Sequence, residues 1–147
     1  MDVISTIAGA AKAAHVSAIL LIAICTHESG GFTNNYNPND NGTPSIGSCQ
    51  VKQKTAEFLG WKGSSKGLMN PRTNAKYAAL YLQYQQKRYG NDWVKLAASY
   101  NSGSYNESHK VLGCPRNLKY VRLVQEKLPE GYRDRLNCGD DEVAGNP

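Results

Sequence analysis

The sequence predicts a mainly α-helical, soluble single domain, and three observations carry that prediction. The chain has 147 residues, a length that suits one compact core with a groove beside it. Its composition, 40% hydrophobic and 20% charged with 14 Gly and 6 Pro, is that of an ordinary globular protein, neither disordered nor membrane-embedded. Apolar residues recur at helical spacing along most of the chain, in blocks separated by Gly, Pro and Asn. We expect one domain over residues 1–147, with 139–147 as a flexible polar tail.

Val3, Ile4, Ile7, Ala8, Ala11 and Ala14 recur at helical spacing and predict a first helix. Ser17 is placed to cap a second, running through Ile24 to about Glu28, where Gly30 and Gly31 stop it. Residues 16–25 look like the apolar stretch of a signal peptide, with Lys12 upstream. The stretch is shorter than the roughly 20 residues a bilayer requires, and cleavage after it would sever the helix from Glu28. It is therefore read as a buried core helix. Residues 33–44 are Asn-rich and carry the turn signals Asn37-Pro38 and Asn41-Gly42, which predicts an irregular loop or small β-ribbon suited to a polar groove wall. A short helix over 55–59 ends at Gly60. Asn70-Pro71 caps and opens a long helix to Tyr89, closed by Gly90. Asp92 caps a helix over 93–100, and residues 117–128 form a last amphipathic helix before Pro129.

Seventeen Lys and Arg against twelve Asp and Glu give a formal charge of +5, which favours polyanions such as nucleic acid or a bacterial envelope. The basic residues are scattered singly or in pairs, so no nucleic-acid partner is expected. The four cysteines, Cys25, Cys49, Cys114 and Cys138, show no CxxC spacing, which argues against a zinc ribbon or a redox pair. Cys25 and Cys49 lie in apolar or tightly turned segments and are expected to be buried thiols. Cys114 and Cys138 sit in loop-like sequence, and a bridge between them is left open. His27-Glu28 opens like the zinc motif HExxH, but Gly31 stands where the second His belongs. No metal, no cofactor and no membrane insertion are expected, and the protein is expected to be a monomer.

Glu28 shares a helix face with Leu20, Leu21 and Ile24, spaced eight, seven and four residues before it. An apolar face penalises the carboxylate anion, and the negative end of the helix dipole penalises it again, so both raise its pKa. A carboxyl that stays protonated near neutrality can act as a general acid. Taken alone, such a Glu is far more often simply the solvated end of a helix, and the rest of the sequence decides between the two readings.

Glu28-Ser29-Gly30 with Phe32 behind is followed in order by residues 45–51 (SIGSCQV), residues 98–103 (ASYNSG) and Tyr120-Val121. Between them stand Thr55-Ala56, Leu59-Gly60, Asn70-Pro71, Asn74 and Tyr81-Leu82. This ordered series, covering about residues 15–125, resembles the lytic transglycosylases with a goose-type lysozyme-like domain. The resemblance implies a lysozyme-like fold with a small irregular loop or β-ribbon after the catalytic helix. It also implies cleavage of the β-1,4 bond between N-acetylmuramic acid and N-acetylglucosamine in peptidoglycan, leaving 1,6-anhydromuramyl ends. Glu28 would be the sole catalytic acid/base. Ser29 would hydrogen-bond at the mouth of the site, Gln50 and Asn101 would bond to the sugar, and Tyr100 and Tyr120 would place hydroxyls and rings beside the glycan. The chain departs from the family at Ser48-Cys49, where apolar residues are common before the Gln, and at Ser99, where Ala is common.

Two other readings stay open. A hydrolytic lysozyme on the same fold would need a base for water, and Asp40 is the acidic residue placed nearest after Glu28. A non-catalytic glycan-binding or structural virion protein would tolerate loss of Glu28. The chain begins with Met and shows no cleavable signal, so a bacteriophage endolysin or a virion-associated muramidase, acting at the cell wall from outside the usual secretion route, is expected.

Overall fold

A computed structural model describes residues 2–33 and 35–139. Of the expected tail, Gly139 is described and residues 140–147 lie outside the described residues. The architecture is mainly α, with six α-helices and a two-stranded sheet among the described residues. By backbone contacts the chain forms two compact units, Met1–Tyr84 and Gln85–Pro147, and the division falls inside a helix.

In the first unit, α1 (Val3–Ala13) is capped by Asp2, whose carboxylate accepts from the Ser5 amide at 2.7 Å. The bonds from Ser5, that from its backbone first, hold the Asp2 carboxyl below its ordinary range. Ile7 and Ala11 are buried as the periodicity predicts, whereas Ile4 is exposed. The chain turns at His15 (φ 59°) into α2 (Ala18–Glu28), where the Ser17 hydroxyl accepts from the Leu20 amide at 3.1 Å. This is the expected cap, and α1 and α2 pack together. Leu20, Leu21 and Ile24 are completely enclosed, each contributing about 1.5–3 kcal/mol. The apolar run is a core helix.

β1 (Tyr36–Asp40) and β2 (Thr43–Ile46) form the expected ribbon, antiparallel with Tyr36 opposite Ile46 and Asp40 opposite Thr43. Asn41 and Gly42 both have positive φ, 55° and 90°, the requirement of a tight hairpin turn that Asn-Gly meets with least strain. The register slips between Asn37 and Asp40, around Pro38, which has no N–H for the ladder. α3 (Gln53–Phe58) is followed by a 3₁₀ turn, Lys66–Met69, and by α4 (Pro71–Tyr89). The Asn70 side chain caps α4, accepting from the amides of Arg72 and Thr73 at 3.0 and 3.1 Å.

In the second unit, α5 (Trp93–Ser102) starts at Asp92, whose carboxylate accepts from the Lys95 amide at 3.1 Å. α6 (Leu118–Glu126) packs on α5, burying Leu118, Val121 and Val124 with Leu96, Ala97 and Ala98. α6 ends two residues earlier than the periodicity predicts, because Leu128 turns its amide to the Gln125 carbonyl. A 3₁₀ turn, Glu130–Tyr132, then leads into an extended segment, residues 133–139. That segment has no helix or strand of its own. It is tied down by the Cys114–Cys138 disulfide, by Arg122 donating to the Gly139 carbonyl, and by Arg133 donating to the carbonyls of Leu128 and Glu126.

Candidate functional site

Glu28 is the last residue of α2 and is half-buried, one turn after the fully enclosed Ile24 and Cys25. The backbone reverses sharply behind it. Gly30, Gly31 and Phe32 all take positive φ (61°, 75° and 68°), a run that two glycines make accessible. The Ser29 hydroxyl is enclosed in this turn, donating to the Cys25 carbonyl at 2.9 Å and accepting from the Phe32 amide at 3.0 Å. In the folded chain Ser29 therefore shapes the backbone that carries Glu28.

Gln50 sits in a tight turn closed by reciprocal backbone bonds between Ile46 and Val51 at 3.0 and 2.9 Å. Its φ of 52° is strained for a residue with a side chain. Its side-chain amide donates to the Gly47 carbonyl at 2.9 Å, and the residue is mostly buried. Asn74 of α4 holds this turn from beneath. Its carbonyl oxygen accepts from the Cys49 amide at 2.9 Å, and its amide donates to the carbonyls of Ile46 and Leu68 at 2.7 and 2.9 Å. Gly47 (φ 80°) is what lets Asn74 approach, since a Cβ there would lie 2.3 Å from the Asn74 side-chain nitrogen.

Cys25 and Cys49 are joined in a disulfide, which corrects the expectation of two buried thiols. Both residues are fully enclosed, as expected, but the turn folds back onto the last turn of α2 and brings their Cα atoms to 4.2 Å. The bridge therefore ties the residue before Gln50 to the helical turn that presents Glu28. Cys49 is also the departure from the family pattern, so the half-cystine stands where an apolar residue is common. Cys114 and Cys138, left open by the sequence, are bridged as well. Asp40 lies on β1, with its carboxylate accepting from the Ser45 hydroxyl at 2.7 Å and its carbonyl from the Lys52 ammonium at 2.6 Å.

The second unit carries Tyr100 and Asn101 in the last turn of α5 and Tyr120 in the first turn of α6. Tyr100 is buried, Tyr120 is half-buried and Asn101 is exposed. Asn117, at the cap position of α6, turns its amide toward α5 instead, donating to the Ala98 carbonyl at 3.0 Å and to the Asn101 side-chain oxygen at 2.9 Å. That bond engages the side-chain oxygen of Asn101 and so orients it. Ser99, the other departure, is fully buried, and its hydroxyl donates to the Leu96 carbonyl at 3.2 Å.

Three contributors escaped the sequence reading: the Cys25–Cys49 bridge, Asn74 as anchor of the Gln50 turn, and Asn117 as the orienter of Asn101. Asn74 did leave a signal, being a polar residue on the same buried face of α4 as Ala78 and Leu82. Among the described residues no group of three or more His, Cys, Asp or Glu is placed to hold a metal ion. No helix among them is long and apolar enough to cross a membrane.

A mainly helical domain whose buried core helix ends on a carboxylic acid, followed at once by a short ribbon, is of the lysozyme-like class. The model of the transglycosylase SLT domain family matches residues 5–113, and the chain belongs to that family. The family consists of lytic transglycosylases, enzymes that cleave glycosidic bonds in peptidoglycan. The match takes in Glu28, Gln50, Tyr100 and Asn101 and ends before Tyr120 and α6. No curated protein matches the chain.

Proposed function

We propose that this protein is a peptidoglycan lytic transglycosylase in which Glu28 is both acid and base. The observation that carries the proposal is the placement of Glu28, a half-buried carboxylic acid ending the apolar core helix α2 of the family-matched segment, with the Gln50 turn bridged to that same helical turn. Protonated Glu28 donates to the oxygen linking N-acetylmuramic acid to N-acetylglucosamine, and the bond to the anomeric carbon breaks. The substrate's own acetamido oxygen meets the positive charge that develops there. The Glu28 carboxylate then takes the proton of the muramyl 6-hydroxyl, whose oxygen closes onto the anomeric carbon. The proton returns to Glu28, no water is consumed, and a 1,6-anhydromuramyl end is formed. Following the family pattern, Gln50, Asn101, Tyr100 and Tyr120 contact the sugar and Ser29 acts at the mouth of the site. The inward hydrogen bonds of the Ser29 hydroxyl support a role for it through the backbone.

Digestion of purified peptidoglycan by wild type and Glu28→Gln, with mass analysis of the new ends, tests enzyme, residue and reaction together. Wild type should release ends lighter by one water than hydrolysed ends, and Glu28→Gln should lose nearly all turnover while keeping its helical circular dichroism. Reducible, hydrolysed ends would instead make the enzyme a lysozyme. In that case Asp40→Asn, which removes the carboxylate bonded to Ser45, should also abolish activity. An active Glu28→Gln overturns the assignment of the acid.

We also propose that the enzyme works in an oxidising compartment at the cell wall, because both its disulfides are buried structural bridges of a kind that cytosolic thiol buffers suppress. Entry with a virion and release at lysis both deliver it there, and detection in purified bacteriophage particles separates the two.

A further inference from the structure

A cleft of about 650 Å³ lies wholly within the Gln85–Pro147 unit, between the start of α5 and the extended segment 133–139. It shares no residue with the candidate catalytic set. The segment that forms its outer wall lies beyond the family-matched residues. Its volume suits one or two sugar rings, within the range of ordinary ligand pockets.

Three aromatic side chains line it. Trp93 and Tyr132 stack with ring centroids 5.8 Å apart and planes inclined by 10°, and Tyr132, which lines the cleft, is half exposed. Tyr105 is steadied from behind. Its backbone amide donates to the Tyr89 hydroxyl at 2.9 Å, and the two rings meet edge to face. Burial, and after it the carboxylates of Glu107 and Asp92, push the Tyr105 phenol above its ordinary range, so its hydroxyl is a neutral donor at any physiological pH.

Among the described residues the charged groups of the lining balance, Asp92 and Asp134 offsetting Lys95 and Arg135. A balanced rim gives no field to attract a polyanion. Rigid aromatic faces beside carboxylate, ammonium and guanidinium groups match a neutral polyhydroxylated ligand, whose ring C–H faces stack while its hydroxyls and acetamido groups bond to the fixed charges.

We propose that this cleft is a second carbohydrate-binding site that takes N-acetylated amino sugars of a glycan strand and holds the enzyme on its polymeric substrate. The choice of glycan rests on the function proposed above, whereas the cleft's binding is measurable without catalysis. The outer wall depends on the Cys114–Cys138 bridge, which packs with Leu118 and carries Leu136 into place beside it. That bridge therefore builds the binding site as well as closing a loop.

The test titrates N-acetylglucosamine tetramer into the 147-residue Glu28→Gln protein and follows the Trp93 indole N–H by NMR, assigned with Trp93→Phe. We expect the Trp93 resonance to shift saturably. Tyr132→Ala should weaken that binding about tenfold, the worth of one well-formed aromatic contact. Because Trp93 contributes to α5, the exposed pair Asp134→Ala and Arg135→Ala gives a second test without touching the core, and it too should weaken binding. In the catalytically intact protein, Tyr132→Ala should lower retention on insoluble cell walls while leaving cleavage of short soluble glycan within twofold of wild type. An unmoved Trp93 resonance overturns the proposal, as does a shift caused by a free stem peptide and not by the sugar tetramer. If wild type cleaves no peptidoglycan yet the tetramer moves Trp93, the reading of the catalytic site fails and the cleft stands.

Discussion

The two disulfides close loops of equal length, each with a sequence separation of 24, and this makes them matched probes. Loop closure of that size removes about 3.4 kcal/mol of conformational freedom from the unfolded chain. Cys25→Ala/Cys49→Ala and Cys114→Ala/Cys138→Ala should therefore lose the same amount through the unfolded state. All four sulfurs are buried, so the voids left in either pair add on the order of 1–2 kcal/mol. Each double variant should be destabilised by about 5 kcal/mol, a fall of roughly 10–20 °C in Tm for a chain of this size. Urea unfolding followed by far-UV circular dichroism measures it. Activity should separate the pairs. Cys25–Cys49 joins the turn of Gln50 to the end of α2, so its loss should lower kcat on short soluble glycan at least tenfold at a temperature where the variant is fully folded. Loss of Cys114–Cys138 should leave that kcat within about twofold. A stability loss below about 1 kcal/mol in the first pair would mean that the bridge does not close the native loop. Equal kcat losses in the two pairs would refute the positioning of the Gln50 turn by Cys25–Cys49.

Asn74→Ala removes the side-chain partner of the Cys49 amide and of the Leu68 carbonyl, and one of the two donors to the Ile46 carbonyl, which keeps its bond from the Val51 amide. It should cost about 3 kcal/mol, measurable as a lower urea midpoint at unchanged m value. Asp92→Ala removes the cap of α5 and should cost about 1 kcal/mol by the same assay. The Asp2 carboxyl has its folded-state pKa lowered by its bonds from Ser5. Its contribution to α1 is thus complete above the ordinary value of 3.8 and fades as pH falls through the lower, folded-state value. NMR titration of its side-chain carboxyl should show a midpoint below 3.8, and a midpoint at or above that value refutes the cap's electrostatic role.

Helix boundaries were legible in the sequence wherever a short-range bond sets them. Ser17, Asn70 and Asp92 each accept from an amide two or three residues ahead, so cap and helix can be read together. The ribbon was legible for the same reason, since Asn41-Gly42 carries its turn in two adjacent residues. Glu28 was legible as an acid at the end of an apolar helix, because its burial follows from the spacing of Leu20, Leu21 and Ile24 on that same helix. The partners of the Gln50 turn were not legible. Cys25 meets Cys49 across 24 residues, and Asn74 reaches back 25 and 28 residues to Cys49 and Ile46. The local spacing of Cys25 announces no such partner, and that of Asn74 marks a polar residue on a buried face without saying which groups it meets. The same holds for the segment 133–139, extended and without secondary structure, whose place is decided by a disulfide and by two arginines reaching for main-chain carbonyls. The sequence by itself determined which residues form helices and which helix ends on an acid, since propensity, capping and periodicity act over a few residues. The tertiary structure alone decided what braces the Gln50 turn and what walls the cleft beside α5, because closing a long loop depends on the whole packed core to bring its ends together.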